Sequence, residues 1–410
     1  MVQTSADPSI DMSKTPVDIV FDEERNCLHS RDNKTNIGAD DAEGMTALMA
    51  LATNKNYSHG PLRMLFTYDE ETTMEGAMKV SPEVVDAKYL INIDGGPVGG
   101  AEISSAGIFK VEITDNYQLE TSKLDKKLDV NINGLYGGHS GVDIAKNRMS
   151  ANVVMIEGLK KLIAEGVDFQ IVNISGGNAT NAIPSYANFT LLVKGSDVQK
   201  ANDLLTEVFN SQKEGKNDDK DANIEISESN RGDEKALSVA ETNNLVELLG
   251  DMPHGCRETD KDDSSMPTVS SNLGIINLDN GHLKIVIHSR SNINGKNEEL
   301  DQQLKDTCKK HEATYTVTNW YQPWEKNKDT RINDLYMKSF RNVCDVEPVE
   351  YTTHAGLECS RFLEKNSNLN MLCLGMDVAN EHMVTEALYT KSMPLFFASL
   401  VNMLENAGEL

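Results

Sequence analysis

Acidic residues stand repeatedly where apolar runs of this chain end. Asp40-Asp41 follow Asn36-Ile37-Gly38-Ala39, Glu70-Glu71 close the run Met64-Leu65-Phe66-Thr67-Tyr68-Asp69, and Asp94 follows Leu90-Ile91-Asn92-Ile93. In open parallel sheets, ligands bind at the carboxyl ends of the strands. Carboxylates converging there repel one another unless a cation neutralises them. A metal site is the economical reading of the three positions together; a solvated loop acid is the alternative at any one of them. Glu70 and Glu71 are neighbours, and adjacent side chains at a strand end point in different directions. One can hold a cation while the other stays free to carry a proton.

Four further positions invite chemistry. His139 lies between glycines in Gly137-Gly138-His139-Ser140-Gly141, Asn181 precedes Ala182-Ile183-Pro184, Arg290 stands in His288-Ser289-Arg290-Ser291-Asn292, and Gly356 in His354-Ala355-Gly356-Leu357-Glu358-Cys359. Each has a plainer reading: a turn histidine, a turn cap before proline, a surface ion pair, and a helix start.

The elements that must position these residues fall into two styles. Over residues 40–105, Met45, Leu48, Met49 and Ala52 have helical spacing, 62–67 reads as a strand, 82–87 as a helix and 89–93 as a strand. Short apolar strands separated by helices predict a mainly parallel sheet covered on both faces. From residue 106 the strands alternate, and Asp279-Asn280-Gly281 between two apolar runs is a strong hairpin signal. Helices are expected near 142–165, 196–211, 236–249 and 297–311. The stretch Lys213-Glu214-Gly215-Lys216-Asn217-Asp218-Asp219-Lys220-Asp221 reads as a polar surface loop. It lacks the glycine and final glutamate of a calcium-binding loop. From residue 319 the first style returns, with a helix at 331–343, strands at 347–352 and 370–375, and a last helix at 385–406. The reading is an α/β catalytic domain formed by 1–105 and 319–410, with an α+β domain, 106–318, inserted into it.

Composition narrows the partners. The 410 residues carry a net charge of −25, which argues against nucleic acid or an anionic membrane surface as partner. No apolar run reaches the length of a membrane span, and no basic-then-apolar leader is visible at the N-terminus. A cytoplasmic location is expected. Six scattered cysteines include no Cys-x-x-Cys pair, so neither a zinc ribbon nor a redox motif is indicated.

The motifs Asn36–Gly44, Thr67–Ala77 and Leu90–Gly96 resemble the successive metal-site motifs of the di-zinc exopeptidases of clan MH. The branch most similar is the aminoacyl-histidine (Xaa-His) dipeptidases, related to peptidase T and carnosinase. The resemblance continues in order through residues 134–144, 174–184, 288–295 and 354–365. It implies a zinc-exopeptidase-like fold with an inserted lid and dimerisation domain, a homodimer, and hydrolysis of small unblocked dipeptides. By resemblance, Asp40 bridges two zinc ions, Glu71 and Asp94 hold one ion each, and Glu70 is the general base. His139 stabilises the oxyanion, often that of the partner subunit's site. Asn181 and Gly356 contact substrate, and Arg290 grips its terminal carboxylate, a task suited to a two-pronged guanidinium.

The chain departs from the family pattern at two places. Met1-Val2-Gln3 look like the residues that follow the family's His-x-Asp motif, so that motif is expected to be missing, along with the first strands of the sheet, leaving an unpaired edge. Near the other end, Asp377-Val378-Ala379-Asn380-Glu381-His382-Met383 places Asp377 where the family has a ligand histidine, with His382 ranked behind it. An all-carboxylate set of Asp40, Glu71, Asp94 and Asp377 favours manganese over zinc relative to the family; cobalt is a further substitute. A catalytically impaired relative that binds or dimerises is the second expectation.

Overall fold

The computed structural model describes residues 4–6, 9–54 and 56–410; Met1-Val2-Gln3, on which one expectation rested, lie outside them. The chain forms two compact units, one of Met1–Ser105 with Trp324–Leu410, the other of Ala106–Pro323. The expected boundary at 318/319 moves to 323/324. Strand Thr314–Tyr321 pairs antiparallel with Gly107–Asn116 and so stays with the inserted unit. The chain leaves and re-enters at one place: Ser105 and Trp324 exchange backbone hydrogen bonds of 2.9 and 3.2 Å.

In the first unit, a mixed four-stranded sheet runs in the order Val349–Tyr351, Gly100–Glu102, Asn370–Gly375, Tyr89–Gly95. The outer pairs are parallel, with Met371 opposite Leu90 and Glu350 opposite Ala101. Helices Ala39–Thr53, Arg331–Val343 and Ser392–Glu405 bury Ala47, Leu51, Leu335, Tyr336, Phe340, Phe396 and Leu400 with Leu372 and Leu374 of the sheet. Each large apolar side chain taken out of water there contributes about 1.5–3 kcal/mol. A second, antiparallel sheet joins Ile19–Asp22, Cys27–Ser30, Ala387–Tyr389 and Val378–Ala379.

Helix Ala39–Thr53 lies directly on strand Tyr89–Gly95. A Cβ at Gly44 would sit 2.2 Å from the Ile93 carbonyl oxygen, so only glycine permits this approach. The contact brings the start of the helix, with Asp40, to the end of the strand, with Asp94.

Three local expectations yield to tertiary context. Residues 62–67 form no strand, and among the described residues Tyr89–Gly95 is laddered to Asn370–Gly375 alone. Leu62, Met64, Leu90, Leu400 and Leu404 share the wall of a cavity of about 500 Å³ beside that unpaired edge. Residues 82–87 make turns closed by Val84 N–H to Ser81 O and Val85 N–H to Pro82 O instead of a helix. The last helix begins at Ser392, because Ala387–Tyr389 is drawn into a ladder with Cys27–Ser30.

The second unit is a nine-stranded antiparallel sheet. Its order is Asn223–Asn230, Lys126–Asn133, Ala187–Val193, Phe169–Gly176, Pro267–Asp279, His282–Ser291, Gly107–Asn116, Thr314–Tyr321, with Gly255–Thr259 also on Pro267–Asp279. Asn280 and Gly281, both with positive φ, close the expected hairpin. Helices Ala151–Ala164, Val198–Lys213, Val239–Asp251 and Lys296–Lys310 pack over the sheet and supply Leu159, Leu205, Leu245 and Leu304 to its core. The first begins nine residues later than the expected 142, since 142–150 form turns and extended chain.

Candidate functional site

In the first unit the acids converge. Asp40 opens helix Ala39–Thr53 without helical dihedrals, at φ −76° and ψ 109°. The turn before it is held by Glu386, whose Oε2 accepts the N–H groups of Ile37 and Gly38, both at 2.7 Å. Glu70 and Glu71 sit on a tight turn in which Asp69, at φ +60°, accepts hydrogen bonds from the Thr72 and Thr73 hydroxyls. Met74 N–H closes that turn on Asp69 O at 2.8 Å.

Two groups of potential ligands share one residue. Oxygen and nitrogen atoms of Asp40, Glu71 and His382 lie within 4.8 Å of one another, and so do oxygens of Asp40, Asp41 and Asp94. His382 Nε2 is 2.9 Å from Asp40 Oδ2 and 3.0 Å from Glu71 Oε2. These two hydrogen bonds push the imidazole up to about 10. Burial would raise Asp40, but its hydrogen bond to His382 and that ring's charge outweigh it and hold the carboxyl below its ordinary value.

Three further acids are raised by burial and by one another. Burial, then the charges of Glu71 and Glu358, push Glu70 up to about 8. Burial, then Glu70 and Asp40, raise Asp94 well above the carboxylate range. Burial and Asp40 push Glu43 up to about 9. Glu358, 7% exposed, has an Oε1 without a hydrogen-bond partner. So many buried carboxylates around one imidazole fit a divalent cation, whose charge offsets the repulsion that otherwise forces protonation.

Asp377 does not join these groups. Its Oδ1 accepts Val98 N–H at 2.9 Å, and its own N–H is held by Ser392 Oγ at 2.9 Å. His382, ranked second of the two in the sequence, comes to Asp40 and Glu71 instead. The reason is the backbone of 380–386: Asn380 and His382 both have positive φ, and Met383 N–H bonds Asn380 O at 3.0 Å. The loop doubles back and turns the His382 ring inward. Glu43, Glu358 and Glu386 were unread in the sequence, and Asp41 was read only as the second half of the Asp40-Asp41 doublet. Gly356 lies in the connection between Val349–Tyr351 and helix Glu358–Leu363, two residues before Glu358.

In the second unit His139, Asn181 and Arg290 come together. Ser140 N–H bonds Asn181 O, and Ile183 N–H bonds Gly138 O, both at 2.8 Å, which draws 181–183 alongside the His139 turn. Arg290 is 3% exposed, and its Nη2 is 3.3 Å from His139 Nε2. His139 Nδ1 faces Val142 N–H at 3.3 Å. A neutral imidazole accepts at one nitrogen only. The ring therefore accepts from Val142 N–H or from Arg290 Nη2, according to its tautomer. An anionic oxygen placed here could accept from Arg290, and from the imidazole when Nε2 carries the proton. His288, also 7% exposed, has its charged form disfavoured by burial and then by Arg290, and so stays neutral beside it.

The profile of Peptidase family M20/M25/M40 matches residues 17–406. The chain is 25% identical to the cytosol non-specific dipeptidase of Escherichia coli (strain K12), covering 98% of this chain and 82% of that one. A shorter match, 31% identical over 137 residues, is to peptidase T of Halothermothrix orenii, 28% of this chain and 33% of that protein. The fold is similar to that of the aminoacylhistidine dipeptidase of Vibrio alginolyticus, with a TM-score of 0.83 and 24% identity over 99% of this chain and 82% of that one. With nearly its whole length matched by the profile, the chain belongs to peptidase family M20/M25/M40.

Proposed function

We propose that the chain is a metal-dependent dipeptidase that hydrolyses small unblocked dipeptides of the Xaa-His type. The observation that carries this reading is Asp40, shared by two groups of potential ligands with Glu70 beside them. In this reading Asp40 would be shared between two cations, with Glu71 and His382 as further ligands for one and Asp94 for the other. Zinc is the proposed metal. The preponderance of carboxylate oxygen over nitrogen also suits manganese or cobalt. A cation held there acidifies water and polarises the scissile carbonyl. Glu70 takes the proton from the attacking water and hands it to the leaving amine. His139 donates to the oxyanion, Arg290 pairs with the substrate's terminal carboxylate, and Asn181 and Gly356 contact the substrate.

The impaired-relative reading leaned on two departures from the family pattern, one of them Asp377 standing in for a histidine. His382 beside Asp40 and Glu71 weighs against that one. No helix among the described residues is long and apolar enough to cross a membrane. The resemblance supports a cytoplasmic enzyme whose second unit is a lid and dimerisation domain.

The test is hydrolysis of Xaa-His dipeptides with zinc, manganese or cobalt, for the native chain and Glu70→Gln. The variant is expected to keep its metal and to lose about 10²–10⁴-fold in kcat. Native-like turnover by Glu70→Gln would sink the mechanism.

A further inference from the structure

The turn that carries His139 is pinned through its backbone on both sides. Asp219 is fully buried. Its Oδ1 accepts Tyr136 N–H at 2.8 Å and its Oδ2 accepts Met149 N–H at 2.7 Å, one donor before His139 and one after it. Asp219 comes from the stretch that sequence alone read as a polar surface loop. Its neighbour Asp218 accepts from Arg148 Nε at 2.9 Å. Arg148 Nη1 in turn donates to Gly137 O at 3.0 Å and lies 3.2 Å from Asp143 Oδ2. Asp143 Oδ2 accepts the N–H of His139 itself at 2.8 Å.

The guanidinium occupies space that only glycine leaves open. A Cβ on Gly138, at φ +130°, would fall 2.1 Å from Arg148 Nη1. The Arg148 guanidinium also lies over the Tyr136 ring at 4.3 Å. A buried carboxylate is costly to desolvate, and apolar packing would fill the same space with less penalty. What the carboxylate adds is direction: two oxygens fix two N–H groups at set angles.

We propose that Asp219, seated by the Asp218–Arg148 pair, is the positioning residue for His139, fixing the turn so that the imidazole stays beside Arg290. The proposal rests on the reading that His139 acts on the substrate. It turns the segment Asn217–Asp219 and its flanks from a solvated linker into part of the apparatus that sets the rate.

The experiment compares Asp219→Ala, Asp219→Asn, Asp218→Asn and His139→Gln, singly, with the double variant Asp219→Ala/His139→Gln. Each is assayed on an Xaa-His dipeptide in saturating zinc, with the imidazole resonances of ¹⁵N-histidine-labelled protein recorded alongside. His139→Gln is expected to lose about 10²–10³-fold in kcat. Asp219→Ala should approach that loss, with a smaller change in KM, unchanged metal content and displaced His139 resonances. Asp219→Asn, which can still accept one N–H, should be intermediate. Asp218→Asn alters a half-exposed pair and keeps Asp219, so it reports even where Asp219→Ala fails to fold; a loss of about two- to fivefold, the scale of a surface ion pair, is expected. Acting through His139, Asp219→Ala should cost nothing further in the His139→Gln background. An additive loss there, or native kcat with unmoved His139 resonances in Asp219→Ala, overturns the proposal. Native kcat in His139→Gln overturns instead the reading of His139; displaced resonances in Asp219→Ala would then still support the clamp.

Discussion

At the scale of single residues, the first unit's site is defined by which charge meets which. Of the acids that sequence marked, Asp40 lies with Glu71 in one group of potential ligands and with Asp94 in the other. The histidine among them was legible as a residue and illegible as a neighbour. Asp377 and His382 are five positions apart, and two residues in left-handed backbone conformation decide between them. The pairing makes a prediction. His382→Ala should weaken zinc binding by more than the roughly 10–100-fold typical of losing an outer partner. Asp377→Ala should leave zinc stoichiometry and affinity close to native. Isothermal titration of metal-stripped protein reads both; the reverse ranking would return Asp377 to the ligand set.

At the scale of elements, strand Gly100–Glu102 shows how a short strand can carry a titratable load. Register places Glu102 opposite Tyr351 on one side and Cys373 on the other. Its Oε2 has no hydrogen-bond partner. Burial pushes the carboxyl up to about 7 from 4.5, and the thiol and phenol nearby offset this only in part. The folded chain therefore holds this proton more tightly than the unfolded chain. The linked stability is fully present below pH 4.5 and is lost as pH rises through about 7. Glu102→Gln should flatten that slope and gain about 1–3 kcal/mol over the native chain at pH 8. Urea unfolding at pH 5 and pH 8 checks it, and equal slopes in the two proteins would refute it. The local hairpin at Asn280-Gly281 was readable because its turn demands positive φ, a property of the residues themselves. Residues 62–67 were misread because an extended apolar run becomes a strand only when a partner ladder is beside it.

At the scale of the whole molecule, the division into two units has a thermodynamic signature. Both groups of potential ligands found among the described residues belong to the first unit, and the second has a large core of its own. A cation that binds only the folded site stabilises that unit by mass action. Chelation should therefore lower the melting temperature of one transition in calorimetry and leave a second transition in place. A single transition that does not respond to chelator would contradict metal binding by the first unit. A chain of two such units need not unfold in one step.

The sequence by itself determined the insertion of one unit into another, the acids at the ends of apolar runs, and the motif order that points to a metallopeptidase. The first two are carried by periodicity, turn chemistry and residue type, all of which are local; the third is carried by resemblance to a known family. Only the tertiary structure decided that His382 faces Asp40, that Asp219 is buried beneath the His139 turn, and that 62–67 lacks a ladder. Those outcomes depend on groups distant in sequence competing for the same space and the same hydrogen bonds. The polar stretch 213–221 makes the point in one place. Its composition is that of a solvated loop, and the N–H groups of Tyr136 and Met149, far away in the chain, are what draw one of its carboxylates inside.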